Sequence, residues 1–187
     1  MNDKAFKACL EVIERDGWKG FTFAKAADES GIALDVFHKH FSTSSDVMVY
    51  LFRKIDEKVL KTVEPRPETL SPKDALFEIL MARFDAALPY KSVLRSFWKD
   101  WILTTPNDAP TLACQGFSSM AWMLEAAGLS PQGLTGMLRV QGLMGLYLLT
   151  LRTWLNDDSP DQGKTMVFLD NGLSKLERAA GLLNFHF

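Results

Sequence analysis

Residues 17–41 read GWKGFTFAKAADESGIALDVFHKHF, and this run decides how the rest of the 187-residue chain is understood. The stretches 22–29 and 33–39 read as two short helices, and Ser30-Gly31-Ile32 between them fits a tight connection between helices that cross steeply. That is a helix-turn-helix pattern. Upstream, Phe6, Cys9, Leu10 and Ile13 recur at a helical period, and downstream Val47, Leu51, Phe52, Ile55 and Val59 do the same.

Helix starts punctuate the remainder. Proline is tolerated at the first helical position, where its missing N–H removes no bond, and a serine before it can cap the free amides. Ser71-Pro72, Ser130-Pro131 and Ser159-Pro160 all have this form. Ser71 with Asp74, Ser159 with Gln162, and Thr43 with Asp46 have capping-box spacing, in which the third helical side chain returns to the cap. Pro110 opens a further helix and Pro89 ends or kinks one. The pattern predicts helices over 3–16, 22–29, 33–39, 43–62, 71–88, 90–103, 111–127, 131–155 and 160–180. The fold class expected is all-α, with about nine helices. Pro65 and Pro67 interrupt the pattern between Val63 and Leu70, so the predicted division is a helix-turn-helix module over 1–62 and a second domain over 71–187.

Apolar residues make up 47% and charged residues 24%, the balance of a globular protein and not of a disordered one. The runs 126–138 and 140–151 are uncharged but shorter than the roughly 18 residues that span a bilayer. The charged start, with Asp3, Lys4 and Lys7, is unlike an export signal, so a cytoplasmic protein is expected. Cys9 and Cys114 are too few for a disulfide framework and are expected as buried structural thiols.

Gly17, Phe21-Thr22, Ala27, Ser30-Gly31-Ile32 and His40-Phe41 fall at the spacing of the N-terminal domain of the tetracycline-repressor (TetR) family, which the first 45 or so residues resemble. The resemblance implies a second short helix that enters the major groove of DNA and a histidine-phenylalanine pair that closes a small core. By position, Thr22 and Lys25 would face phosphates, and Leu34, Asp35, His38, Lys39 and His40 would lie on or beside the reading helix. Where the family commonly has a glycine, a tyrosine and a lysine, this chain has Asp35, His38 and Ser44. Residues 1–60 hold nine lysines or arginines against ten carboxylates, a formal −1, whereas phosphate binding draws its affinity from cations. Lys4, Lys7, Lys19, Lys25 and Lys39 could still cluster on one face.

From Thr111 to Leu155 the only charges are Glu125, Arg139 and Arg152. Helices this apolar are buried on more than one side, in a core, around a cavity or at a subunit interface. Phe97, Trp98, Trp101, Met120, Trp122, Met123, Met137, Gly142, Met144 and Tyr147 are the candidate lining of a pocket for an apolar small molecule or lipid. Gly133, Gly136, Gly142 and Gly145 sit at helical spacings, where each costs about 1 kcal/mol relative to alanine, so close approach by a helix or ligand is expected. The TetR resemblance implies that a small effector binds in this region. It also implies that 131–155 and 160–180 form a four-helix bundle with a second subunit, making a homodimer.

A second resemblance runs through Trp154, Asp157, Asp158-Ser159-Pro160-Asp161, Thr165 and Phe168-Leu169-Asp170, with Asp16-Gly17-Trp18 compatible. These residues are similar to the signature of the coenzyme-Q-biosynthesis accessory family. That likeness implies a TetR-like lipid and isoprenoid binder that works at membranes, by peripheral contact, and does not bind DNA. Ser159 as a helix cap and Asp161 in the first turn of the helix would explain part of the same pattern.

Nothing in the chain has the form of a catalytic motif. His38, His40 and His186 do not make a metal site, and Asp157-Asp158 reads as solvated or capping. Neither enzyme activity, metal nor cofactor is expected. The leading reading is a ligand-responsive transcriptional regulator, a repressor that binds operator DNA as a dimer. The alternative is a lipid-binding protein of the same fold.

Overall fold

The computed structural model describes residues 3–63, 70–104 and 106–182, with 101–104 and 106 described by their backbone alone. Positions 64–69 of the predicted boundary, the Trp101 side chain and His186 lie outside the described residues.

Among the described residues the protein is all-helical. The elements are α1 (Asp3–Asp16), α2 (Phe23–Ser30), α3 (Leu34–His40), α4 (Ser44–Thr62), α5 (Pro72–Ala87), α6 (Lys91–Thr104), α7 (Ala109–Ala126), α8 (Gly133–Leu155) and α9 (Gly163–Leu182). Three 3-10 turns occur at Trp18–Gly20, Leu88–Tyr90 and Pro106–Asp108. The all-α expectation holds.

Side-chain caps mark the starts of α4 and α5. The Ser71 hydroxyl oxygen accepts from the Asp74 amide at 3.1 Å, the cap its spacing predicts, and the Asp74 carboxylate returns to the Ser71 hydroxyl, which donates to it at 2.6 Å. Asp46 accepts from the amides of Ser42 and Thr43 at 2.6 and 2.8 Å. Two expected starts differ. Helix α8 begins at Gly133, not at Pro131, and Gly136 leaves room for the Pro131 carbonyl, so Ser130-Pro131 folds back over the first turn. Helix α9 begins at Gly163 because Gln162 takes a left-handed φ of 53°, which leaves Pro160 and Asp161 in the corner before the helix. Of the other α8 glycines, Gly142 sits beneath Leu176 as a close approach, whereas Gly145 faces open space.

Packing groups the chain into two compact units, Met1–Lys54 with Pro89–Ala113, and Ile55–Leu88 with Cys114–Phe187. In the first, Phe6, Cys9, Val12 and Ile13 of α1 are buried, as are Phe37, Val47, Met48, Leu51, Val93 and Phe97. Trp18 meets Phe97 edge-on at 4.8 Å between centroids, and its amide donates to Ser96 Oγ at 2.7 Å. Gly17 permits that contact: its φ is 77°, and a Cβ there would lie 3.2 Å from the same hydroxyl.

In the second unit Leu76, Leu80 and Phe84 of α5 are buried, together with Met120, Met123 and Leu124 of α7, Leu143 and Trp154 of α8, and Leu169 and Leu173 of α9. Each large side chain so buried contributes roughly 1.5–3 kcal/mol. Phe84 stacks on Tyr147 at 5.3 Å and tilts against Trp154 at 5.5 Å. One cysteine expectation fails: Cys9 is buried, but Cys114 lies on the exposed side of α7.

Candidate nucleic-acid interface and effector region

Thr22 caps α2, its hydroxyl accepting from the Lys25 amide at 3.2 Å, and Gly31 closes the helix with a left-handed φ of 68°. This sharp stop turns the chain into α3. Phe37 of α3 is fully buried and packs near Phe23 of α2, with Phe41 stacked on the same ring at 5.6 Å. With Phe37 inward, a turn of about 100° per residue sets Leu34, Asp35, His38 and Lys39 on one outward arc, and all four are exposed. His40 is exposed as well but falls outside that arc. Of the pair expected to close the small core, only Phe41 does so, because it shares the inward side with Phe37.

Electrostatically the arc is restrained. Lys39 Nζ donates to Asp35 Oδ2 at 2.8 Å, one helical turn away, and holds the Asp35 carboxyl below its usual range. Lys25 does not reach outward: its Nζ donates to Asp16 Oδ2 at 2.8 Å and to the Gly20 carbonyl at 2.9 Å. Arg15 binds Asp16 at 2.7 Å through Nε and grips Glu29 with both terminal nitrogens at 2.6 and 2.7 Å. Arg15 first, then Lys25, keeps the Asp16 carboxyl far below the ordinary carboxylate value.

The residues predicted to line a pocket are not gathered around one space. Phe97 and Trp98 belong to the first unit, where Phe97 packs on Trp18 and Phe52. In the second unit Met120 and Met123 are fully buried and Tyr147 nearly so, whereas Trp122 and Met137 are about half exposed. Met144 lies against Gly116, and Gly142 lines an outer groove of about 990 Å³ between α8 and α9. Leu146, Leu149, Val167, Phe168, Gly172 and Leu176 share that groove.

Two polar clusters in the second unit were not foreseen. In the first, Arg83 of α5 donates through Nε to Asp56 of α4 at 2.8 Å and through Nη1 to the Tyr147 hydroxyl of α8. Ser119 of α7 donates to the other Asp56 oxygen, and Gln115 donates to Ser119 at 3.4 Å. All five residues are buried, and burial pushes the Tyr147 phenol upward. A signal was available: Asp56 and Arg83 occupy core positions among Phe52, Ile55 and Val59, and among Ile79, Leu80 and Phe84, where a charge needs a partner. Their separation of 27 residues hid the pairing.

The second cluster is centred on buried Asp157. It accepts from the amide and hydroxyl of Ser159 at 3.2 and 2.5 Å and from those of Thr165 at 2.9 and 2.8 Å. These bonds, Ser159's first, hold its carboxyl well below the usual range despite burial. Capping was therefore the right reading for Asp157, and Asp158 beside it is exposed. Gln162 does not return to Ser159 through its side chain. It accepts from the Trp154 indole at 2.8 Å and donates to Asp85 at 2.6 Å.

Neither a protein-family model nor a curated protein sequence matches the chain. Among solved structures it is similar to a TetR transcriptional regulator from Nitrosomonas europaea ATCC 19718, at 19% identity and a TM-score of 0.73 over 92% of this chain and 95% of that one. It is also similar to a TetR transcriptional regulator from Rhodococcus sp. RHA1, at 19% identity and a TM-score of 0.61 over 93% of this chain and 95% of that one. At this identity the likeness is one of fold, and the protein has the TetR-type all-helical fold. The resemblance to the coenzyme-Q accessory family finds no support in these comparisons. Several residues that carried it, Trp154, Asp157, Ser159 and Thr165, are bonded to one another and to Gln162 as packing elements of the α8–α9 corner.

Proposed function

We propose that the protein is a cytoplasmic, ligand-responsive one-component transcriptional regulator, a repressor that binds operator DNA as a homodimer and performs no catalysis. The observation that carries this reading is the outward arc of α3, held clear of the core by Phe37 and set behind a helix capped by Thr22, within a TetR-type fold. Residues 1–62 serve as the DNA-reading module, with Thr22, Lys25, Leu34, Asp35, His38, Lys39 and His40 at or near the duplex. Residues 71–187 serve as the effector and dimer module. Lys25 and Lys39 would exchange their carboxylate partners for phosphate on binding, at a cost in affinity.

The homodimer forms through α8 and α9. Leu134, Met137, Leu138, Leu149, Val167 and Phe168 are 39–71% exposed on this pair, a large apolar surface for a soluble protein to leave in water. A second copy of the same face, brought up about a two-fold axis, covers it isologously. Among the described helices α8 alone is long and apolar enough to cross a bilayer. Its Arg139 and Arg152, and Lys164 and Lys175 at the groove, favour a protein partner over lipid.

The effector is an apolar small molecule taken up within the second unit beside Met120, Met123, Met144 and Tyr147. Methionine side chains re-pack around a guest at little cost. A guest that fits one dimer arrangement better draws the population away from the one whose reading helices stand about 34–36 Å apart, one duplex turn.

A gel shift with DNA from upstream of the protein's own gene tests the reading. A sequence-preferring complex that Lys39→Glu abolishes is expected, and no such complex at about 50 mM salt defeats it. Native mass spectrometry should find a co-purified apolar molecule. Gly142→Leu, which forces a side chain against Leu176 and into the groove, should yield monomer by sedimentation.

A further inference from the structure

We propose that the effector carries an uncharged carbonyl group, as a ketone or an ester does, and that Arg83 and Tyr147 receive its oxygen inside the second unit. The inference rests on the effector role proposed above and names the chemistry of the guest. Its starting point is the buried cluster of Asp56, Arg83, Gln115, Ser119 and Tyr147, drawn from four helices of one compact unit.

The hydrogen bonds of the cluster leave a surplus of donors. Both Asp56 oxygens are taken, Oδ1 by Arg83 Nε at 2.8 Å and Oδ2 by the Ser119 hydroxyl. The Tyr147 oxygen is taken by Arg83 Nη1. A guanidinium has five N–H bonds to offer and a phenol has its O–H. Among the described residues no acceptor meets Arg83 Nη2 or the phenol proton, although the two residues are only 3% and 8% exposed. Buried donors are as a rule satisfied, so a pair left over inside a binding module marks where an acceptor from outside the chain fits. Nη2 shares its carbon with Nη1, which already reaches the phenol, so one oxygen can accept from both donors.

The two donors are fixed in place. The guanidinium carbon lies 4.5 Å from the centre of the Tyr147 ring, and Phe84 stacks on that ring at 5.3 Å. Ser119 and Met120 are neighbours on α7, and Met144 and Tyr147 lie one turn apart on α8. The polar end and the apolar body of a guest are thus served by the same two helices. Charge decides between acceptors. Arg83 and Asp56 already neutralise each other, so a carboxylate guest would leave the buried site net negative, at a desolvation cost that a neutral carbonyl does not carry. A hydrocarbon would leave both donors unmet.

The test uses the full chain, stripped of co-purified molecules, and equilibrium dialysis with two matched sets of probes. One set is acetylnaphthalene, ethylnaphthalene and naphthoate; the other is benzylacetone, butylbenzene and hydrocinnamate. Within each set the ketone should bind at least about tenfold more tightly than the hydrocarbon and than the carboxylate. Tyr147→Phe keeps the ring but removes the O–H, and should cut the preference for ketone over hydrocarbon several-fold while leaving the hydrocarbon's affinity unchanged. Asp56→Leu combined with Arg83→Met removes the ion pair as a unit and should abolish the preference. Circular dichroism shows whether each variant is folded, and the wild-type comparison needs no variant. A wild-type protein that binds ketone no better than hydrocarbon, or binds carboxylate better than ketone, overturns the inference while leaving the effector role intact. So does a preference that survives in both folded variants. If no probe of either set binds, the effector role falls and the inference with it.

Discussion

In the first compact unit, Arg15 meets Asp16 and Glu29, Lys25 meets Asp16, Lys39 meets Asp35 and Lys54 meets Asp3, and every pair has at least one side chain more than a third exposed. In the second, Arg83 and Asp56 meet at 2.8 Å with 4% and 9% of their side chains exposed, and Tyr147 and Ser119 satisfy further atoms of the pair. An ion pair in water is screened and gives up side-chain entropy to hold its geometry, so it stabilises little. What such pairs do here is hold the cations of this unit against carboxylates of the same chain. A pair out of water is different. Its attraction is offset by desolvation, yet losing one partner strands the other, so it fixes which helices meet and in what register.

That contrast can be broken first at Arg83. Arg83→Met leaves the Asp56 carboxylate buried without its guanidinium and should cost about 3–5 kcal/mol in urea denaturation. Asp56→Leu combined with Arg83→Met should recover to within about 1 kcal/mol of wild type, or exceed it. If the double variant is as unstable as the single one, the pair contributes more than mutual neutralisation.

Asp157→Asn comes next, since an amide cannot accept from Ser159 and Thr165 with both of its terminal atoms. The expected loss is roughly 2–3 kcal/mol near neutral pH. Because the folded-state carboxyl titrates below the value of about 4 expected in the unfolded chain, the wild-type advantage is complete above that pH. It should shrink steadily as the pH is lowered beneath it. Denaturation curves of both proteins at neutral pH and at successively lower values measure this.

Asp35→Ala sharpens the other side of the comparison. It should leave the melting temperature unchanged while freeing Lys39, so duplex binding should tighten several-fold in a gel shift. The smallest effect concerns the thiols. Burial pushes the Cys9 thiol up to about 12, so in native protein a disulfide reagent should titrate Cys114 alone, with the second equivalent appearing only on unfolding.

The fold was legible because its signals are local. Ser71-Pro72 with Asp74, Thr43 with Asp46, and the apolar period of Phe6, Cys9 and Ile13 each lie within one or two helical turns, and the corresponding helices begin close to where these marks put them. The starts of α8 and α9 were placed too early, since Ser130-Pro131 and Ser159-Pro160 carry the same marks but are held in the preceding turns by the close approach of Pro131 to Gly136 and by the Ser159 bonds to Asp157. The α3 arc was legible from spacing and resemblance together. The interior of the second unit was not: Ser119 lies 63 residues from Asp56 and Tyr147 lies 64 from Arg83, and no periodicity reports such pairings. A list of large apolar residues consequently mixed fully buried Met120 with exposed Trp122, which differ in the face of α7 they occupy.

Gln162 holds a backbone conformation that costs an ordinary residue roughly 1–2 kcal/mol, and both ends of its amide are engaged, by the Trp154 indole and by Asp85. To swing α9 away from α8 would strand a buried indole N–H together with the Asp157 bonds. The α8–α9 hairpin is therefore braced at its bend, and its two helices can part only by giving up these bonds.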